Sequence, residues 1–191
     1  MRDYCIAVTG LPGSGKSTVG RTVARSLDCA YLDKDVFLER LFDQRGTGDS
    51  NWRTLLSRES DGLFQNHAQS RHRVILVSHW RPQGRPGPSG TPTEWLFTTF
   101  TTVIELYCVC PVDIAAERFT TRERHRGHLD YRRSLFEVKE WMRDYNSYLP
   151  LKLGREIRVD TAEKVEMETP LAHIRRVVDG DAEHTSGADG V

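Results

Sequence analysis

The sequence has no net charge and no long apolar run. Its 27 Lys and Arg residues are balanced by 27 Asp and Glu residues over 191 positions. A neutral chain offers no overall positive field to a nucleic acid, so only a local basic patch would serve that purpose. The stretch of about 20 apolar residues that a membrane-spanning helix requires is missing, and the chain opens on a strand-like segment instead of a signal peptide. We therefore expect a cytoplasmic protein without membrane contact, for which nucleic acid is a disfavoured partner.

Cysteines are few, and their spacing is not that of a metal or redox motif. Cys5, Cys29, Cys108 and Cys110 form no C-x-x-C pair. Three of them lie in apolar strand-like runs, where a reduced thiol behaves as a small hydrophobic side chain. This usage is typical of a reducing compartment without structural zinc. A metal or redox pair formed by Cys108 and Cys110 is the alternative.

What the sequence does contain is a complete phosphate-binding motif near its start. Residues 10–18 match G-x-x-x-x-G-K-[ST] without a gap. Glycines let the backbone approach a polyphosphate closely, and such a loop directs its N–H groups inward at the positive end of a helix dipole. Lys16 is placed to reach the β- and γ-phosphates, and the Ser17 hydroxyl is placed to bind Mg²⁺. The predicted nucleotide-binding residues of the loop are Gly10, Leu11, Pro12, Gly13, Ser14, Gly15, Lys16, Ser17 and Thr18.

The segments on either side of the motif have the expected character. Residues 4–8 form a short apolar run that is typical of a buried parallel strand. Residues 17–27 place Val19, Val23 and Leu27 on one helical face. The motif therefore lies between a strand and a helix, which favours a nucleotide-binding loop over a glycine-rich turn that binds nothing.

The remaining apolar segments predict an α/β fold. Strands are expected at residues 29–32, 73–78, 103–109 and 156–159, with helices between them. One long helix is expected from Tyr131 to Leu149, with its apolar stripe in the core. These elements predict a P-loop NTPase three-layer α/β/α sandwich with a five-stranded parallel sheet. We expect one domain over residues 1–178 and a disordered polar tail over residues 179–191.

Two carboxylates follow the second predicted strand, at Asp33 and Asp35. Ligands of doubly wound sheets bind at the carboxyl ends of the strands, so both acids are expected beside the phosphate loop. One of them can organise Mg²⁺ and its waters, while the other accepts a proton from a substrate hydroxyl. The alternative is that they cap the next helix, because Asp is a favourable N-cap. Both roles are compatible, and we favour a functional one for Asp35.

Polar and aromatic residues near two other element ends are candidate substrate contacts. His79, Trp80 and Arg81 follow the third strand, and Trp52 and Arg53 begin a predicted helix. His79 has an equal alternative as an ordinary hydrogen-bonded residue. The Pro- and Gly-rich segment 82–92 predicts neither helix nor strand. It is expected to be a mobile loop that closes over substrate or a disordered insertion.

Arginines are concentrated after the fourth strand. Arg118 and Arg122 are spaced i, i+4, which places them on one face of a helix. The planar guanidinium suits phosphate and also stacks on aromatic rings. A solvated face paired by Glu117 and Glu123 is the alternative. We favour a phosphate-closing lid over about residues 118–130, in which Arg122, with Arg126 or Arg124, covers the transferring group.

This arrangement resembles the P-loop kinases of the nucleoside-monophosphate-kinase type over about residues 4–178. It is most similar to small-molecule kinases, namely gluconate, shikimate and adenylyl-sulfate kinases, chloramphenicol phosphotransferase and the zeta-toxin kinases. The resemblance implies transfer of the γ-phosphoryl group of ATP, with Mg²⁺, to a hydroxyl of a sugar, sugar acid, nucleoside or antibiotic-like molecule. It also implies a monomer or homodimer.

The resemblance assigns roles to several residues. Residues 32–35 are similar to the Leu-Asp-x-Asp of adenylyl-sulfate and gluconate kinases, which implies that Asp35 faces the accepting hydroxyl. Arg118 and Arg122 match the Arg-x-x-x-Arg of such lids, in which the first stacks on adenine and the second touches the phosphates. Residues 126–129 are similar to the Lys/Arg-Gly-His-Phe of gluconate kinase, with three extra residues before them. Thr161 and its neighbour Ala162 lie where adenine rests in these folds.

Departures from the pattern leave the acceptor open. His79 and Trp80 replace the Ser-Ala-Leu of gluconate kinase, so gluconate is not implied as the substrate. Ser78 stands where a Walker B acid is expected, and we assign that supporting role to Asp33. A polynucleotide 5′-hydroxyl kinase is one rival, although the neutral charge disfavours it. A nucleotide-gated binding or regulatory module is the other, and the missing Asn-Lys-x-Asp motif disfavours a GTPase.

Overall fold

The computed structural model describes residues 3–85, 87 and 89–180. Five parallel strands form one sheet in the order β2-β3-β1-β4-β5. They are β1 (Tyr4–Gly10), β2 (Ala30–Asp33), β3 (Arg73–Val77), β4 (Thr102–Val109) and β5 (Arg155–Asp160). Strand β1 is buried at all seven positions, which explains its continuous apolar run, because helices cover both faces of a parallel sheet. The predicted α/β fold is confirmed.

Helices connect the strands and cover the two faces of the sheet. The helices are α1 (Lys16–Leu27), α2 (Lys34–Arg45), α3 (Ser50–Gln69), α4 (Glu94–Thr99), α5 (Val112–Thr121), α6 (Leu135–Asn146) and α7 (Glu168–Asp179). Helices α1 and α7 pack on one face through residues such as Val23 and Ile174. Helices α3 and α4 pack on the other face through Phe64 and Leu96. The chain places β2 and β3 on one side of β1 and β4 and β5 on the other, so a crevice opens at the carboxyl end of β1.

A buried carboxylate ties the central strands to the segment before β5. Glu105 on β4 is fully buried. Its carboxylate accepts hydrogen bonds from the Thr9 hydroxyl at 2.6 Å and from the backbone N–H groups of Leu151 and Leu153 at 2.8 and 3.0 Å. Three donors offset the removal of this charge from water. The contacts fix where the chain enters the last strand.

Two predicted helices have different limits in the structure. The expected 131–149 helix begins at Leu135, where Ser134 and Glu137 form a capping box, and it ends at Asn146. Tyr131 is 61% exposed, so the predicted core stripe was wrong at its start. Helix α5 ends at Thr121, so Arg118 lies within the helix and Arg122 follows it as the C-cap.

The structure describes only parts of two segments for which the sequence predicted no helix or strand, residues 82–92 and 179–191. Within residues 82–92, Pro86 and Pro88 lie outside the described part of the chain, and the rest forms no helix or strand. Arg85 from this segment forms an ion pair with Asp144 of α6 at 2.6 Å. Of the predicted tail, Asp179 ends α7 and Gly180 follows it, while residues 181–191 lie outside the description. Within the described residues, no helix combines the length and apolar character needed to cross a membrane.

Candidate active site

A cavity of about 700 Å³ opens at the carboxyl ends of β1, β2 and β3. The phosphate loop forms one wall, and α3 and the segment between α5 and α6 form others. This inter-helix segment, residues 122–134, is called the lid segment below. The lining residues that carry charge or an imidazole ring are Lys16, Asp33, Asp35, Arg53, His79, Arg118, Arg122, Arg124, His128, Asp130, Arg132 and Arg133.

The phosphate loop has the backbone that its glycines predict. Gly13 has a φ of +82°, and a Cβ there would lie 2.2 Å from the carbonyl oxygen of Ala115, so a larger residue has no room. Gly15 caps α1 in the left-handed conformation, and no side chain caps that helix. Lys16, Ser17 and Thr18 line the cavity. The positive end of the α1 dipole therefore faces this space, which favours an anion.

The Lys16 ammonium forms hydrogen bonds within the phosphate loop. Its Nζ donates to the carbonyl oxygens of Gly10 and Leu11 at 3.0 and 2.8 Å. Burial lowers the pKa of Lys16 to about 8, and the positive charge of Arg122 also lowers it. A polyphosphate in the loop would offer this ammonium charged oxygens in place of neutral carbonyls.

Asp33 supports the Ser17 hydroxyl and begins α2. Its Oδ2 accepts hydrogen bonds from Ser17 Oγ at 2.7 Å and from the Tyr31 hydroxyl at 2.9 Å. Its Oδ1 accepts the backbone N–H of Asp35 at 3.2 Å, which is the N-cap of α2. Asp33 therefore does cap α2, and its role in organising Mg²⁺ stays a prediction. A hydroxyl backed by a carboxylate is an oxygen donor set that fits Mg²⁺, which also takes oxygens from water and phosphate.

Asp35 lies in the same cavity and forms an ion pair with Arg124. Its side chain is 48% exposed. Burial alone would raise the pKa of Asp35, but Arg124, and further His128 and Arg122, hold that pKa below its usual value. Arg124 also contacts Asp130 Oδ2 at 2.5 Å. Asp35 is therefore ionised at neutral pH and is held by a cation of the lid segment.

The lid segment is docked on α2 by aromatic contacts and one buried histidine. The ring of His125 stacks on Phe42 with a centroid distance of 5.2 Å. His128 is 3% exposed, and its Nε2 lies 2.9 Å from Glu39 Oε1. Gly127 lies against Phe42, because a Cβ there would be 2.5 Å from a ring carbon. These contacts place Arg124 over Asp35.

The other predicted lid arginines have different surroundings. Arg122 lines the cavity, with its guanidinium 4.9 Å from the ring centroid of Phe119. Burial, followed by the charge of Arg124, lowers the pKa of Arg122. Arg126 is exposed over the ring of Tyr131 and is absent from the cavity lining. The side chain that reaches Asp35 from this segment is Arg124 instead.

Arg118 joins the end of α5 to the loop after β5. Its guanidinium donates to the carbonyl oxygens of Thr161 and Ala162, both at 2.7 Å. The Thr161 backbone N–H and hydroxyl both donate to Val109 O at 2.9 Å. Arg118 lines the cavity, while the Thr161 side chain is buried. The structure thus brings the predicted adenine-side residues together.

His79 and Trp80 point in opposite directions at the end of β3. Both ring nitrogens of His79 are buried and have no hydrogen-bond partner within the described part of the chain, and the ring lies 4.4 Å from that of Tyr145. Burial lowers the pKa of His79 to about 3, so the imidazole is neutral near pH 7. Trp80 is instead fully buried against Phe64, and its indole N–H donates to Val8 O at 2.9 Å. The prediction of a substrate contact is therefore corrected for Trp80, which is a core residue.

Of the remaining predicted substrate contacts, one lines the cavity and two do not. Arg53 lines the cavity, and its buried Nε has no hydrogen-bond partner among the described residues. Trp52 packs on Leu38 and neighbouring apolar residues, and its indole N–H donates to Gly46 O at 3.1 Å. Arg81 donates to Gly90 O at 3.0 Å. Neither Trp52 nor Arg81 is part of the cavity lining, so the structure does not bring these two to the site.

The sequence reasoning missed several lining residues of the lid segment and of neighbouring elements. Asp130, Arg132 and Arg133 line the cavity, as do Ser50 and Thr54 at the start of α3. The charge of Asp130 and that of Arg133 both act on Arg53, although burial is the main reason why the pKa of Arg53 is lowered. The capping signature Ser134 to Glu137 would have revealed that residues 130–133 precede a helix and are free to face the site.

Similarity to known proteins agrees with this geometry. The family described as AAA domain matches residues 6–144. The shikimate kinase of Corynebacterium glutamicum is 49% identical over 35 residues, which are 18% of this chain and 21% of that protein. The chloroplastic shikimate kinase 3 of Oryza sativa is 27% identical over 85 residues, which are 41% of this chain and 28% of that protein. The chain thus aligns with less than a third of the length of these curated relatives.

Solved structures extend the similarity to nearly the whole chain. A putative kinase of Chloroflexus aurantiacus superposes with a TM-score of 0.77 at 28% identity, covering 92% of this chain and 98% of that one. The shikimate kinase of Bacteroides thetaiotaomicron superposes with a TM-score of 0.57 at 19% identity, covering 93% and 99%. The second likeness shows the fold alone. With a family match over most of its length, a complete phosphate loop and this sheet, the chain belongs to the AAA domain family and has the fold that is also found in shikimate kinase.

Proposed function

We propose that this chain is a kinase that transfers the γ-phosphoryl group of ATP to a hydroxyl group of a small molecule. The observation that carries the proposal is that an ionised carboxylate, Asp35, shares one cavity with the phosphate loop and with Arg122. A nucleotide-binding module without transfer needs the loop but has no use for such a carboxylate. The similarity to small-molecule kinases supports the same activity.

Each group in the cavity has a defined task in this reaction. The backbone N–H groups of the loop and the Lys16 ammonium bind the β- and γ-phosphate oxygens, and Arg122 stabilises the charge that develops during transfer. Mg²⁺ beside Ser17 and Asp33 would neutralise phosphate charge when it is bound. Asp35 orients the acceptor hydroxyl and takes its proton while the new P–O bond forms and the bond to ADP breaks. The lid segment covers Asp35 from one side through Arg124, which limits the access of water.

The acceptor end of the cavity favours a substrate with a negative group. Arg53 and Arg133 lie there with Arg124, against only two carboxylates, Asp35 and Asp130. The buried Nε of Arg53, which has no hydrogen-bond partner in the described part of the chain, is a donor that a carboxylate or phosphate would satisfy. The His79 ring, which is uncharged near pH 7, lines the cavity as a polar group. We therefore propose a hydroxyl compound of the sugar-acid kind over a neutral sugar or nucleoside.

An assay of ADP release tests this proposal directly. Hydroxy acids, neutral sugars, nucleosides, antibiotics and 5′-hydroxyl oligonucleotides are offered with MgATP. We expect stimulation by hydroxy acids, and we expect Asp35→Asn to lower kcat by a factor of about 100 or more while nucleotide binding persists. Asp113→Asn is the matched control, because Asp113 lies on α5 in a surface ion pair with Lys139.

The same assay decides between the proposal and its rivals. Stimulation by oligonucleotides alone, with a steep salt dependence, would identify a polynucleotide 5′-hydroxyl kinase. Tight ATP binding with no stimulation by any acceptor would favour a nucleotide-gated module. Full turnover in Asp35→Asn would remove Asp35 as the base. The similarity to small-molecule kinases does not favour either rival.

A further inference from the structure

The Tyr31 hydroxyl takes part in the site although it lies outside the cavity lining. It donates to Asp33 Oδ2 at 2.9 Å, the same oxygen that accepts the Ser17 hydroxyl at 2.7 Å. The opposite oxygen, Oδ1, accepts a longer bond from the Asp35 backbone at 3.2 Å. Two short bonds therefore meet at the oxygen that faces Ser17.

The fold places the Tyr31 ring with little freedom to move. Tyr31 and Asp33 are two residues apart on β2, so their side chains leave the same face of the sheet. Gly20 of α1 makes room for the ring, because a Cβ at Gly20 would lie 3.0 Å from Tyr31 Cε2. The Arg21 guanidinium covers the ring at 5.4 Å from its centroid. A tyrosine hydroxyl carries its proton near neutral pH, so Tyr31 is a donor to Asp33.

We propose that Tyr31 is a positioning residue for the metal that accompanies the nucleotide. The torsion that turns a carboxylate is broad, so a carboxylate needs fixed donors to keep one oxygen on one partner. With Tyr31 in place, Asp33 Oδ2 stays on the Ser17 hydroxyl proton, and the Ser17 lone pairs are left for Mg²⁺. Without it, Asp33 Oδ2 loses one of its two donors, and the carboxylate is held less firmly against Ser17. Partners of this kind orient metal-binding groups and tune their basicity.

The test measures metal affinity without turnover, because the inference rests on the proposed use of a metal–nucleotide complex. Mn²⁺ is titrated into the ADP-loaded protein and followed by electron paramagnetic resonance, and ADP binding is measured separately in EDTA. We expect Tyr31→Phe to weaken Mn²⁺ binding by about 10-fold, with metal-free ADP affinity and melting temperature unchanged. The Mg²⁺ concentration for half-maximal turnover should rise, with the acceptor KM unchanged.

Tyr107→Phe is the matched control. Tyr107 is also a strand tyrosine under an arginine, with Arg158 at 5.9 Å from its ring centroid. It lies on β4, however, beside Thr9 of β1 and Arg158 of β5 instead of beside Asp33. Equal Mn²⁺ affinity in Tyr31→Phe and wild type would overturn the inference, as would a parallel loss of metal-free ADP binding, which would indicate a packing role. Failure of the wild type to bind Mn²⁺ with ADP would instead count against the proposed function.

Discussion

At the scale of single residues, the central contact is the ion pair between Asp35 and Arg124. It joins the proposed base to the lid segment, and Arg124 is shared with Asp130. A base in an ion pair is weaker than a free one, because the cation favours its ionised form. The pair therefore sets the pH range in which Asp35 can accept a proton.

The pH dependence of the reaction should reveal this pair. Arg124 lowers the pKa of Asp35 against the opposing effect of burial. Only ionised Asp35 acts as the base, so activity is lost as the pH falls through that lowered pKa. In Arg124→Ala the largest of the charges that lower this pKa is removed, while His128 and Arg122 remain. We therefore expect the acid limb of the kcat/KM profile to move to higher pH.

Arg126→Ala is the comparison for this prediction. It removes the same charge from the same segment, but Arg126 lies over Tyr131 and away from Asp35. Its acid limb should stay at the wild-type position. If Arg124→Ala left the acid limb in place, control of Asp35 by Arg124 would be refuted.

At the scale of elements, the docking of the lid segment on α2 depends on the absence of a side chain at Gly127. A Cβ there would meet three carbons of the Phe42 ring at 2.5–2.7 Å, and Phe42 is only 2% exposed. The ring has little room to yield. Helix α2 therefore holds the lid segment by shape as much as by the pairing of His128 with Glu39.

We expect Gly127→Ala to loosen this docking. Overpacking of this kind commonly destabilises by about 1–3 kcal/mol, and the loss should fall mainly on the lid segment. Hydrogen exchange should rise over residues 122–134, and turnover with the acceptor should fall. Gly62→Ala on α3 is the control, because nothing lies within 4 Å of a Cβ there, and it should stabilise by about 0.5–1 kcal/mol. Unchanged exchange over the lid segment would contradict the docking.

Helix limits show what sequence periodicity can predict and what it cannot. The strands were predicted to within two residues at each end, because buried parallel strands are continuous apolar runs. The i, i+4 spacing of Arg118 and Arg122 predicted one helical face, and both line the same cavity, although α5 ends just before Arg122. Helix α5 ends at Thr121, between the two arginines. The hydroxyls of Thr120 and Thr121 donate to the backbone carbonyls of Ala116 and Glu117. Such local bonds compete with helix continuation.

The sequence predicted the parts of the site that belong to one local motif. It did not predict contacts between residues that are far apart in the chain. The phosphate loop and Asp33 follow from strand ends, which the sequence marks clearly. Which of His79 and Trp80 faces the cavity depends on the alternation along β3, and composition does not reveal it. The contact of Arg124 with Asp35 joins positions 89 residues apart. No spacing rule within one sequence identifies such a pair.

At the scale of the whole molecule, the cavity joins elements from both halves of the sheet. The phosphate loop, the end of β2 and the start of α3 meet the lid segment and α6 around one space. A ligand that fills it binds only the folded chain. Nucleotide binding should therefore stabilise the entire fold by mass action.

Thermal unfolding with MgADP measures this coupling. At a ligand concentration about 100 times Kd we expect about 2.7 kcal/mol of stabilisation, or roughly 5–10 °C in melting temperature for a chain of this size. Lys16→Ala should reduce the shift strongly, since its Nζ faces the phosphate site. Lys164→Ala, an exposed residue beyond β5, should keep it. A shift of equal size in Lys16→Ala would count against phosphate binding by the loop.

The hydrogen bonds from Lys16 to the carbonyls of Gly10 and Leu11 have a consequence for how affinity is understood. The Lys16 ammonium has partners within the loop, so a polyphosphate that binds it replaces these hydrogen bonds instead of adding to them. The measured binding free energy is then the difference between two satisfied states. It understates the strength of the new contacts, and a variant that weakens the internal bonds alone would bind nucleotide more tightly than the natural protein.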